Sequence, residues 1–130
     1  MHSLLYAVNS AAQAVAVDGT IDFGRIVRRY GREIDLSGGT VALNGAGYYA
    51  IDAAIAFEGT AAGVVTITLY KDGVAIPGAS ALRSTADGTT YDVAIPCIAR
   101  EKCCCESVIT AVVTGAAIDV TNATIRVIKL

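Results

Sequence analysis

The sequence predicts an all-β domain, a sandwich or barrel of about eight to ten short antiparallel strands. Three observations lead there. Apolar residues recur at every second position through the middle of the chain, the period of a half-buried strand. Turn signals interrupt that pattern about every 8 to 12 residues, as they do in sandwiches and barrels. No segment holds an apolar stripe of helical period for more than about two turns.

The elements follow in chain order. Met1 to Ala12 has no clear period; Leu4, Leu5 and Val8 suit one face of a short helix or a strand packed on a neighbour. Val15 and Val17 alternate weakly ahead of the turn signal Asp18-Gly19. Ile21 and Phe23 continue an extended segment, and Ile34 and Leu36 stand at strand spacing before Ser37-Gly38-Gly39. Thr40 to Leu43 is a short strand, and Asn44 to Gly47 loops into the stretch around which the chain is organised. There Tyr49, Ile51, Ala53, Ile55 and Phe57 make a bulky apolar face, against small or polar Ala50, Asp52, Ala54 and Ala56. Glu58 to Gly63 turns the chain into a second strand carried by Val65, Ile67 and Leu69. Asp72-Gly73 readily supplies the positive φ of a tight hairpin. A third strand starts at Val74 and is expected to end at Pro77-Gly78, because proline cannot donate to a ladder. After a looser piece from Leu82 to Thr90, Tyr91, Val93, Ile95 and Cys97 carry the next apolar face. Ala99 to Lys102 is polar and expected as a hairpin loop into a strand with Val108, Val112 and Val113. Gly115-Ala116-Ala117 turns, and Ile118 to Leu130 closes the chain with a strongly β-prone ending.

Composition narrows the function classes. The 130 residues suffice for one domain with a real core. Hydrophobic residues are 54% and charged residues 17%, against about 25% charged in ordinary soluble domains, so much of the exterior is expected to be covered by an oligomer or built of small residues. A net charge of −2 argues against a nucleic-acid partner. No apolar run reaches the roughly 18 residues of a membrane-spanning helix. Leu4-Leu5-Tyr6-Ala7-Val8 is too short for the apolar region of a secretory leader, so synthesis in the cytoplasm without the usual export route is expected.

Several pieces then carry a resemblance. Gly47-Tyr48-Tyr49 opens an apolar strand, a hairpin ends in Leu69-Tyr70-Lys71-Asp72-Gly73-Val74, Pro77-Gly78 follows, and Val120 to Ile125 lies in the closing strand. In this order and spacing the stretch from Thr40 to Leu130 resembles the globular domain of the tumour-necrosis-factor and complement-head superfamily, in particular its bacterial and phage branch. There, similar domains cap exosporium glycoproteins and the head or tail fibres of virions. The resemblance implies a jelly roll of ten strands that assembles as a tight trimer, one sheet facing the threefold axis. It places the jelly-roll domain at residues 37–130 and leaves residues 1–36 as an N-terminal arm and first strands, an attachment or edge segment. It further implies a non-enzymatic structural protein, a trimeric decoration or fibre head on a virion surface made in a bacterial host's cytoplasm. The alternative is a module of a bacterial surface or spore-coat protein that binds a carbohydrate or receptor. Expected partners are two further copies of the chain, a capsid or fibre protein, and a host surface glycan. The chain lacks a Gly-X-Y stalk, and its triple cysteine departs from the animal members.

The chemistry-bearing residues are few. His2 is the one histidine and stands at the end of the chain, a poor place for the base that a serine or cysteine nucleophile needs. No cofactor, metal site or catalytic residue is expected. Cys97 faces Cys104 if residues 99–102 form the hairpin loop, and the pair then suits a disulfide; buried free thiols and a metal site stay open beside it. Arg25, Arg28, Arg29 and Arg32 form the one basic cluster, either a salt-bridged face or a docking surface for an acidic capsid or a membrane. Tyr6, Tyr30, Tyr48, Tyr49, Tyr70 and Tyr91 suit either a sugar platform or, more commonly, core or interface packing with the hydroxyl on a partner; exposed aromatic residues around Tyr91 or the Ser84 to Thr90 loop would support a binding role. Tyr49, Ile109, Val113, Ile125 and Val127 are candidates for the core or the trimer axis.

Overall fold

The computed structural model describes residues 3–102 and 106–130. Its eleven strands are β1 (Leu4–Asn9), β2 (Gln13–Val15), β3 (Arg25–Tyr30), β4 (Ile34–Ser37), β5 (Thr40–Leu43), β6 (Gly47–Gly59), β7 (Gly63–Lys71), β8 (Val74–Thr85), β9 (Thr90–Glu101), β10 (Ser107–Thr114) and β11 (Ile118–Lys129). They form two antiparallel sheets. One runs β3-β1-β11-β6-β9 with β2 beside the start of β11, and the other runs β4-β5-β10-β7-β8. The period-two pattern is what closes them face to face. Tyr49, Ile51, Ala53, Ile55 and Phe57 on β6, Ile109, Ala111 and Val113 on β10, and Val120, Ala123, Ile125 and Val127 on β11 are all at most 1% exposed. Ile21 and Phe23 are also fully buried, and the amide of Ile21 donates to Ala111 O at 2.9 Å, so this segment continues the line of β5 along β10.

The segment that has no clear period in sequence, Leu4–Asn9, is a strand between β11 and β3. The residues at 4–37 thus supply strands to both sheets, with β3 and β4 at the sheet edges.

Three local expectations are corrected. β6 and β7 are not a hairpin: they belong to different sheets, because both turn an apolar face inward and bury more by stacking than by pairing side by side. β8 does not stop at Pro77-Gly78 but runs to Thr85. It is an edge strand, where a missing N–H can face away from the ladder, and Gly78 at φ 79° takes up the register shift against β7. Ala99 to Lys102 is not a hairpin loop: β9 stays paired with β6 as far as Glu101 opposite Gly47, and β10 begins in the other sheet. The turn at Asp72-Gly73 has φ values of 51° and 80°, the double positive φ of a tight hairpin.

Candidate functional site

A strand exposes every second side chain, and a sheet lines those side chains up in rows across its strands. On the outer face of the six-stranded sheet one such row is apolar from edge to edge. Tyr30 pairs with Leu4, Leu4 with Ile128, Ile128 with Ala50, and Ala50 with Ile98. Five strands at about 4.8 Å spacing make this row roughly 19 Å long. Tyr30 is 54% exposed and Ile98 60%. Tyr48 extends the apolar surface at one flank, with the Arg100 guanidinium 5.6 Å over its ring. Of the ten exposed large apolar side chains among the described residues, Tyr6, Tyr30, Tyr48, Ile98 and Ile128 stand on this one face.

The next row is polar at its centre. Arg28, Tyr6, Arg126, Asp52 and Pro96 follow one another across the same strands, and Arg126 Nη2 lies 2.8 Å from Asp52 Oδ2. Beyond it the face flattens into Thr124, Ala54 and Ala94, small side chains that allow another surface to approach closely.

Ile98 also lines a groove of about 420 Å³ where the edge of β8 meets the edge of β9. Its apolar walls are Val74, Ile76, Pro77 and Ile98, and Lys71 and Arg100 stand at its rim. Face and groove are therefore one continuous surface that turns the corner of the sandwich.

The five residues expected at the core or axis, Tyr49, Ile109, Val113, Ile125 and Val127, are all fully buried inside a single chain. A surface between copies is left to other residues. The Tyr49 hydroxyl donates to Gly45 O at 2.5 Å, and burial pushes its pKa up. Arg29 pairs with Asp35 at 3.2 Å across the β3 and β4 edges, whereas Arg25, Arg28 and Arg32 are exposed. Cys97 lies opposite Ile51 on β9 and is half-buried; desolvation, with the Asp52 carboxylate second, pushes its thiol up to about 11. Cys104, its expected partner, and His2 lie outside the described residues. Tyr91 makes no open platform: its ring stacks on Phe57 at 5.6 Å and its hydroxyl accepts from the Ala86 amide at 2.9 Å. Among the described residues no three His, Cys, Asp or Glu side chains gather to hold a metal.

Comparison with solved structures matches the geometry. Murine APRIL superposes over 100% of both chains with a TM-score of 0.74 at 15% identity. The globular domain of the zebrafish complement 1qA protein does so over 95% of this chain and 94% of its own, with a TM-score of 0.71 at 8% identity. The PRD1 vertex protein P5 matches over 98% and 96%, with a TM-score of 0.62 at 16% identity. The chain has the jelly-roll fold of the tumour-necrosis-factor and complement heads. Identities this low carry the fold alone. No protein-family model and no curated protein sequence matches.

Proposed function

We propose that this protein is a non-enzymatic structural component, a homotrimeric head or decoration knob on the surface of a bacteriophage virion. The observation that carries the reading is the apolar row from Tyr30 to Ile98, which turns the corner of the sandwich into the β8/β9 groove. An apolar surface that crosses a whole sheet marks an interface. A twofold dimer joining like patches would use the face and leave the groove open. Packing the edge of one copy on the face of the next uses both, and such a heterologous contact closes most simply as a ring of three. The Arg126–Asp52 pair within the face sets register, since a shifted neighbour would bury either charge unpaired. The virion setting is supported by the likeness to the PRD1 vertex protein P5, and the exposed arginines of β3 are the surface proposed to meet an acidic capsid or fibre partner.

The test is absolute mass in solution by light scattering at low micromolar concentration, with and without reductant. Three times 13.3 kDa in both conditions is expected. A monomer removes the reading, and a trimer lost on reduction transfers the assembly from the apolar face to the cysteines.

A further inference from the structure

Val74, on the lip of the β8/β9 groove, is 69% exposed, the highest value among the large apolar side chains of the described residues. With Ile76, Pro77 and Ile98 it walls about 420 Å³ of open space. An apolar hollow of this size suits a large flat side chain. The Lys71 ammonium at its rim adds a donor, and a cation that favours an aromatic face.

Four exposed apolar side chains on the strands share the outer face of the six-stranded sheet at the height of this groove: Tyr48, Ile98, Ile128 and Tyr30. Tyr48 lies under the Arg100 guanidinium of its own chain. Ile98 is a wall of the groove itself. Ile128 sits in the middle of the row, between Leu4 and Ala50, and is the least exposed of the four. Tyr30 stands at the far end on the edge strand β3, and its hydroxyl makes no hydrogen bond among the described residues. Its backbone is nonetheless fixed. Tyr30 pairs with Leu4, and Gly31, at φ 79°, packs on Ser3 with no room for a Cβ. A side chain that projects freely from a held backbone is a preorganised anchor.

We propose that Tyr30 of each copy inserts into the β8/β9 groove of the next, so that every groove in the ring is filled by a second copy of this chain. This contact presupposes the homotrimer proposed above and assigns its anchor. Tyr30 and Ile98 are the two ends of one row, so they stand at equal height along the strands. Turning the edge of one copy onto the face of the next is a rotation about the strand direction, which leaves height unchanged. The far end of one row therefore comes level with the groove at the near end of its neighbour's. Within one copy the two ends are roughly 19 Å apart, beyond the reach of one side chain, so the contact exists only between copies. Once seated, the ring packs on Val74, Pro77 and Ile98, and the phenol oxygen accepts from the Lys71 ammonium. An aromatic anchor in an apolar pocket, ringed by polar groups, is the form that interface hot spots take.

The experiment places the photoreactive residue p-benzoylphenylalanine at position 30 of the full chain, reads the mass by light scattering, and then illuminates. The expected result is a trimer before illumination and chains linked as dimers and trimers after it. Mapped peptides are expected to join position 30 to Val74, Ile76, Pro77 or Ile98 of another copy. A link from position 30 to β3 of another copy, as a twofold face-to-face dimer gives, overturns the proposal, and so does a trimer with no link. In parallel, Tyr30→Phe is expected to keep the trimer, and Tyr30→Ala to stay folded by circular dichroism while its trimer dissociates. Each buried anchor is worth at least about tenfold, so losing three raises the dissociation constant at least about 10³-fold. An unchanged constant in folded Tyr30→Ala overturns the anchor and leaves the trimer standing. A monomeric wild type overturns the trimer itself, and the anchor with it.

Discussion

Replacing Ile98 with aspartate is the sharpest probe of the proposed assembly. Ile98 belongs to both the apolar row and the β8/β9 groove, and it is 60% exposed in a single chain. Fully burying an isoleucine side chain is worth about 1.5–3 kcal/mol, so covering the part still exposed contributes about 1–2 kcal/mol per copy. Over three copies the loss is about 3–6 kcal/mol, before the cost of burying a new carboxylate, so the association constant falls by at least roughly 10²- to 10⁴-fold. The chain itself is expected to stay folded, because Ile98 turns away from the core and its backbone pairing with Ala50 does not depend on the side chain. Sedimentation velocity over a concentration series reads the assembly, and circular dichroism reads the fold. A folded variant with an unchanged trimer dissociation constant would refute the assignment of this surface.

The remaining expectations concern the single chain. Gly115→Ala places a methyl group against the Val64 carbonyl at φ 95°, so unfolding by urea is expected at a clearly lower concentration, by about 1–3 kcal/mol or more; an unchanged midpoint refutes the clash. Asp72 accepts from the Val108 amide at 2.9 Å, and that bond, with the Ser107 side chain second, holds its carboxyl below the ordinary range. Its folded pKa is depressed, so the stability it adds is complete above the unfolded value near about 4 and is lost as pH falls through the folded one. Melting temperatures of the wild type and Asp72→Asn are therefore expected to converge in acid and to differ at neutral pH; parallel curves would count against the bond. Cys97, whose thiol is pushed up to about 11, is expected to resist iodoacetamide at pH 8 in the native state and to react once unfolded, as peptide mass mapping would show.

Much of the fold is legible in local pattern. The alternation from Tyr49 to Phe57 marks the inward face of β6, and Asp72-Gly73 marks the turn between β7 and β8, because side-chain period and positive φ are properties of neighbouring residues. The site is far less legible. Tyr30, Leu4, Ile128, Ala50 and Ile98 come from five strands scattered through the chain, and each looks unremarkable among its own neighbours. Ala50 reads as a small residue on a weak face, although it is the link between Ile128 and Ile98. In sequence Tyr91 suits a sugar platform or packing alike, and only the fold shows its ring stacked on Phe57.

By itself, then, the sequence determined which stretches are extended, which side of each is apolar, and that charge is sparse, at 17% of residues. The tertiary structure decided which strands meet. It sent β6 and β7 to different sheets, carried β9 past its expected end, and set Glu33, Glu101 and Lys129 around one tyrosine. The reason is physical: alternation is encoded residue by residue, whereas pairing is settled by burying two inward faces against each other across long loops, and no local pattern contains that choice.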